Sequence, residues 1–310
     1  MDSRPVRPTR RAVFTFGAAA VLAACAPAKG NETERPSASP SRAPRPPERS
    51  VAGRLRALER AHSARLGVFA LNPATGAAVL HRADERFAIC SVWKPLAVAA
   101  VLRDRDEAFL GRRVRYTEAD LVAHSPDTGR PGNLANGMTV AELCEATVCR
   151  SDNTAGNLLL RELGGPRAVT RFCRSIGDQV TRLDRWETEL NSAEPGRVTD
   201  TTSPRAVAQT YRRLITGGAL DEPDRERLTD WLRTNETNGR SFGAGLPDGW
   251  TSADKTGAGR HGSNNDVGVA WTPDGRPVVL AVLTAKEKET AEPDYPLVAK
   301  TAELLARELG

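Results

Sequence analysis

The sequence lacks any metal-binding pattern: its four His, at positions 62, 81, 124 and 261, show no ligand spacing, so nothing points to a bound metal. Long apolar runs are scarce too. The one of any length sits at the extreme N-terminus and is shorter than a bilayer-spanning helix. Repeats of solenoid period are absent. Most of the chain also lacks a charge excess. The formal net charge is +5, from 44 Lys+Arg against 39 Asp+Glu. Residues 1–24 carry four Arg and one acid, residues 25–50 carry five basic and three acidic residues, and residues 51–310 carry 35 of each sign. Composition therefore gives no argument for a nucleic-acid partner. What is present is length and apolar material. With 310 residues, 39% of them hydrophobic, the chain can form one large domain or two modest ones.

The first fifty residues are set apart by composition. Arg4, Arg7, Arg10 and Arg11 precede an apolar, small-residue stretch from Val13 to Ala24, the layout of an export signal over residues 1–24. Thr9-Arg10-Arg11-Ala12-Val13-Phe14 resembles a twin-arginine export motif, with Val13 in place of the usual Phe. Leu22-Ala23-Ala24-Cys25 resembles a bacterial lipobox, which implies cleavage before Cys25 and lipid on its thiol. Residues 25–50 are rich in Pro, Ser and charge, and read as a disordered tether between anchor and body. The expected location is the outer face of the cytoplasmic membrane, with some release to the medium.

In the body, Val51–His62 has helical spacing of Val51, Leu55 and Leu58. Strands are expected at Arg65–Leu71 and Ala77–His81, joined by the turn Asn72-Pro73-Ala74-Thr75-Gly76. Three more are expected at Thr251–Lys255, Val267–Trp271 and Val278–Thr284, and a helix at Pro296–Leu309. Between these ends helical patterns dominate: Val92–Asp104, Val140–Cys149, Thr154–Leu163, Ala168–Ile176, Pro204–Ile215 and Glu222–Leu232. Strands at both ends around a helical middle predict an α+β fold. The expectation is a five-stranded antiparallel sheet with the terminal helices packed on it (residues 51–89 and 236–310). An all-α lobe (residues 90–235) is inserted between them.

Chemistry concentrates in short elements with a fixed order. Ser91-Val92-Trp93-Lys94 opens a helix, where residues three apart share a face, so the Lys94 amine is expected to reach the Ser91 hydroxyl. A serine hydroxyl becomes nucleophilic when a nearby base takes its proton. Ser151-Asp152-Asn153 follows at a junction of two helical patterns, then Lys255-Thr256-Gly257 at the end of a strand. Each triplet is expected by composition only about 0.03–0.04 times per chain, so their joint presence is a strong signal. Taken singly, the residues have duller readings: Ser91 as a helix cap, Glu187 as a solvated carboxylate, and Arg185 with Asp200 as a surface pair.

The order S-x-x-K, S-D-N, K-T-G resembles the penicillin-recognising serine enzymes, which include class A β-lactamases and penicillin-binding proteins. Arg185-Trp186-Glu187-Thr188-Glu189-Leu190-Asn191, followed by Asp200-Thr201-Thr202-Ser203-Pro204, resembles the omega loop of the class A enzymes. The resemblance spans residues 51–310. It implies an acyl-enzyme on Ser91, with Lys94 or Glu187 taking its proton and oxyanion donors at the Ser91 and Ala258 N–H groups. It further implies proton transfer through Ser151, charge from Lys255, and substrate contacts from Thr256, Gly257 and Asn153. Glu187 and Asn191 would hold the hydrolytic water, while Arg185 and Asp200 pin the loop. No metal and no organic cofactor is implied, and the expected state is a monomer acting on a β-lactam. Two alternatives stand beside it. One is a D-alanyl-D-alanine peptidase of the same superfamily that deacylates slowly; the other is a non-catalytic penicillin-binding sensor.

The remaining residues sharpen this picture. Some class A enzymes carry a disulfide between the positions of Val98 and Cys144, which is impossible here. Cys144 and Cys149 are poorly separated for pairing on one helix. Cys90 and the tryptophans Trp186 and Trp250 are expected to pack. His124 stands where many relatives have an aromatic residue. Ser241 and Asn264 occupy the two positions from which the family supplies a carboxylate-binding Arg, leaving Arg240 and Arg260 as open candidates.

Overall fold

The computed structural model describes residues 50–310. The export signal, Cys25 and the tether up to residue 49 lie outside the described residues. Within them, the alternation of the last strand dictates the layering. In β5 (Pro277–Ala285), Val278, Leu280 and Val282 enter one core, while Val279, Ala281 and Leu283 enter another. A strand apolar on both faces must be covered on both. The first core lies under α1 (Val51–His62) and α8 (Tyr295–Leu309), through Leu55, Leu297, Val298, Ala302 and Leu305. The second faces the helical part of the chain.

The sheet has the order β2-β1-β5-β4-β3, every neighbour antiparallel, with β1 at Arg65–Leu71, β2 at Ala78–His81, β3 at Thr251–Ala258 and β4 at Asn264–Trp271. The turn between β1 and β2 forms as its sequence dictates. Asn72 Oδ1 accepts from the Ala74 and Thr75 amides at 2.9 and 3.2 Å, and Gly76 takes the left-handed conformation. The Asn72 amide also donates to the Leu309 carbonyl at 2.7 Å, tying this turn to the end of α8.

The helical part comprises α2 (Lys94–Asp104), α3 (Val140–Cys149), α4 (Asn153–Leu163), α5 (Arg167–Ser175), α6 (Pro204–Ile215) and α7 (Glu222–Arg233). Thr139 and Glu142 form a capping box at the start of α3, and Asp152, Ser203 and Asp221 cap α4, α6 and α7. Nine consecutive residues of α2, Lys94 to Leu102, are buried, which makes it the central helix. Helix α6 lies against β1, β4 and β5, so it covers the inner face of the sheet.

Three expectations need correction. The Ser91 turn is a 3-10 turn over Cys90–Trp93, and the α-helix proper begins at Lys94. Strand β3 continues past Lys255 to Ala258, so the Lys-Thr-Gly triplet lies inside a strand. Its partner Asn264-Asn265-Asp266 has turn-like composition, yet all three side chains are buried, and Asn265 donates to the Ala88 and Ile89 carbonyls. Trp186, expected to pack, is 38% exposed. Cys90, Cys144, Cys149 and Cys173 are all buried free thiols. No helix among the described residues is long and apolar enough to cross a membrane.

Candidate active site

The Ser91 turn is held from three sides. The Ile89 amide donates to the Asp200 carbonyl at 2.8 Å, the Asn265 amide donates to the Ile89 carbonyl at 3.1 Å, and the Tyr211 hydroxyl donates to the Val92 carbonyl at 2.8 Å. Strand β3 presses on the turn from a fourth direction. A Cβ added to Gly257 would sit 2.9 Å from the Ser91 amide nitrogen, so only glycine permits this approach. Cys90 and Ser151 both adopt left-handed backbone, with φ of 45° and 57°, conformations that cost of order 1–3 kcal/mol and concentrate at functional sites.

Lys94 is fully buried. Its Nζ donates to the Ser151 carbonyl at 2.7 Å, to Ser151 Oγ at 3.1 Å and to Asn153 Oδ1 at 2.6 Å. Glu187 Oε1 lies 3.6 Å from the same nitrogen. Burial pulls the Lys94 amine below its ordinary value, against the opposing pull of Glu187 and Asp152. The expected contact from Lys94 to the Ser91 hydroxyl is not among its hydrogen bonds. The amine turns instead toward Ser151 and Asn153.

Glu187 is 4% exposed and firmly positioned. Its Oε1 accepts from Trp93 Nε1 at 3.1 Å and its Oε2 from Asn191 Nδ2 at 2.6 Å. Asn157 fixes its backbone, accepting from the Glu187 amide at 3.0 Å and donating to the Glu187 carbonyl at 2.9 Å. The segment is clamped farther back by Arg185, whose Nε donates to Asp200 Oδ2 at 2.6 Å, while Asp200 Oδ1 accepts from the Asp184 and Arg185 amides. Asp200 is 1% exposed, so this is no ordinary surface pair.

On β3, Lys255 is fully buried and donates to the Thr256 carbonyl at 2.9 Å. Burial, with the nearby Lys94 charge, pulls its amine down to about 7. The Thr256 hydroxyl bonds that of Thr237, and Ala258 lies exposed at the end of the strand. Beneath Lys255, Asp254 accepts from Asn235, Asn238 and Ser252. Burial and the adjacent Asp254 push the Asp266 carboxyl well above the usual carboxylate range.

Ser91, Lys94, Ser151, Asn153, Glu187 and Asn191 are thus linked through the Lys94 amine, the Ser91 turn and the Glu187 carboxylate, with β3 along one side. Arg240 and Arg260 are engaged elsewhere: Arg240 stacks 4.0 Å over the Tyr295 ring, and Arg260 pairs with Glu289. Asn264 and Ser241 are buried with side-chain polar atoms that have no partner. Sequence reasoning gave no role to Trp93 or Asp152, though both stand inside its motifs, and missed Asn157 and the Asp254–Asp266 pair. Asn157 had a signal, since it stands four residues after Asn153, on the same face of α4. Asp152 had one too. Besides capping α4, its carboxylate accepts from the Asp127 and Thr128 amides at 2.9 Å each. No group of His, Cys, Asp and Glu suited to a metal ion occurs among the described residues.

Comparison with known proteins agrees over the whole body. The family model described as the β-lactamase enzyme family matches residues 50–309. A β-lactamase of Streptomyces fradiae is 61% identical, over 99% of this chain and 98% of that protein. One of Streptomyces lavendulae is 56% identical over the full length of both. Among solved structures, the β-lactamase from Streptomyces albus G superposes with a TM-score of 0.83 at 60% identity, covering 84% of this chain and 99% of that one. A β-lactamase from Desulfarculus baarsii reaches 0.81 at 46% identity, covering 84% and 97%.

Proposed function

The chain belongs to the β-lactamase enzyme family, and from that membership we propose a class A serine enzyme that opens the lactam amide of penicillins and cephalosporins, conferring β-lactam resistance. The observation that carries this reading is the buried junction at which the Lys94 amine reaches Ser151, Asn153 and Glu187. Ser91 Oγ bonds to the lactam carbonyl carbon, and its proton passes to Lys94 or Glu187. The carbonyl oxygen takes the negative charge, supported by the Ser91 and Ala258 N–H groups, donors of a kind worth about 3–4 kcal/mol each. The C–N bond then breaks, and Ser151 delivers a proton to the leaving nitrogen. Lys255 and Thr256 receive the substrate carboxylate, while Gly257 leaves room beside Ser91 and Asn153 orients the acylamide.

The acyl ester needs a water made nucleophilic. Glu187 is the general base for that step, and Asn191, which donates to its Oε2, helps hold the water. Water adds to the ester carbonyl, Ser91 leaves with a proton, and the ring-opened acid departs. Arg185 and Asp200 keep the loop that carries Glu187 in register.

A chromogenic cephalosporin assay on the purified chain tests the proposal. Many turnovers per protein are expected. A stoichiometric burst alone would point to a peptidase that deacylates slowly, and no reaction would point to a binding sensor. For the N-terminus, we propose export as a lipoprotein through residues 1–24, with lipid on Cys25. Cys25→Ala is expected to release the protein to the medium or leave its signal uncut. Membrane fractionation showing unchanged association would rule the anchor out.

A further inference from the structure

The Thr256 hydroxyl already has a partner inside the protein, and the polarity of that contact follows from its neighbours. Asn235, just past the end of α7, is buried, and both ends of its amide face backbone atoms whose roles are fixed. One end lies 3.0 Å from the Thr237 amide, an obligate donor, so that end is the oxygen Oδ1. The other lies 3.1 Å from the Asp254 carbonyl, an obligate acceptor, so it is the nitrogen Nδ2, which also donates to Asp254 Oδ2 at 2.9 Å. The amide therefore has one orientation.

The Thr237 hydroxyl sits 2.7 Å from Asn235 Oδ1. An amide oxygen carries no proton, so Thr237 donates across that contact, and a hydroxyl has a single proton to give. The adjoining contact between the Thr237 and Thr256 hydroxyls must then run with Thr256 donating and Thr237 accepting. The reverse polarity would leave two oxygens facing each other at 2.7 Å, a separation that calls for a proton between them. What Thr256 has left to offer an incoming group is lone pairs, and a carboxylate has only lone pairs as well.

We propose that Asn235 and Thr237 are positioning residues that hold the Thr256 proton inward, so that Thr256 binds a substrate carboxylate only by turning that proton away from Thr237. The functional half of this rests on the β-lactamase reading given above. One internal hydrogen bond is given up as the bond to the carboxylate forms, which sets how tightly an acid is held relative to its ester. The setting matters in this chain because Arg240 and Arg260 are engaged by Tyr295 and Glu289, which leaves Lys255 and Thr256 to meet the carboxylate.

Neutron diffraction from deuterated crystals of the free protein reads the polarity directly. The Thr256 deuteron is expected on the line to Thr237 Oγ1, and that of Thr237 on the line to Asn235 Oδ1. A Thr237 deuteron directed at Thr256 would overturn the proposal. Kinetics reads the consequence, with benzylpenicillin and its methyl ester as substrates that differ in the carboxylate. Thr237→Val keeps the shape of the side chain and removes the acceptor. It should raise the acid-to-ester ratio of kcat/KM by about threefold or more, through KM rather than kcat. Thr237→Ser, which keeps the hydroxyl, should keep the wild-type ratio. Structural damage would depress both substrates alike, so a ratio that stays level or falls in Thr237→Val would overturn the proposal. If the wild-type protein turns over neither substrate, the β-lactamase reading fails by itself, and the deuteron positions alone uphold or overturn the inward-held proton.

Discussion

Glu187→Ala is expected to convert a turning-over enzyme into one trapped as its acyl ester. General-base catalysis of this kind contributes about 10²–10⁴-fold, and the loss should fall on deacylation. The geometry explains why a neighbouring group should not take over. Asn191 and Trp93, which hold the carboxylate, are both donors and accept no proton. Lys94 lies 3.6 Å from Glu187 Oε1, but its Nζ is already committed to Ser151 and Asn153. Intact-mass spectrometry after mixing with a good penicillin should show the protein heavier by one ring-opened substrate. Rapid recovery of unmodified variant would remove Glu187 from the deacylation step. Asn157→Leu offers a graded companion, because it takes away both bonds that fix the Glu187 backbone while leaving the carboxylate itself in place.

The second large effect concerns pH. With its amine pulled down to about 7, Lys255 is a cation below that pH and increasingly neutral above it in the free protein. A cation is what a substrate carboxylate requires, so kcat/KM should fall on the alkaline side. The fall steepens toward tenfold per pH unit once the amine is mostly neutral. The profile of kcat/KM reports the free enzyme, which makes it the right measurement. Lys255→Arg should remove this limb, since a guanidinium keeps its charge throughout the range. A wild-type profile that stays flat to pH 9 would show that Lys255 is not the group being read.

Much of the fold was legible because its long elements carry strong periodic signals. Helices α1, α3 and α6 begin and end where apolar spacing and caps place them. Ser50 caps α1 through the Gly53 amide, and Ser203 with Pro204 opens α6. The short pieces were not legible. Glu107–Gly111 and Pro131–Asn136 are too brief for a period to show, and the pairing of Phe87–Ala88 with Thr201–Thr202 joins residues more than a hundred apart. The end of β3 was hidden for another reason. Asn264, Asn265 and Asp266 look like a turn, and only their burial between layers makes them strand. At the site, motif order brought out the residues that could meet a substrate. It was silent on Trp93, an unspecified position inside the first motif, and on Asn157 and Asp254, which lie outside the motifs; all three touch other protein groups.

The sheet order has a consequence for how the chain reaches its folded state. Strand β1 pairs along its entire length, from Arg65 to Leu71, with β5, from Ala285 to Val279. Its other neighbour, β2, offers only four paired residues, and a two-stranded ribbon is marginal in water. During synthesis, therefore, the first hairpin must wait with an open edge until residues 277–285 have left the ribosome. Contacts of such long sequence separation slow folding and prolong the exposure of that edge. Residues 277–310 thus supply more than α8: a nascent chain halted before Pro277 would lack the strand that joins β1 to β4.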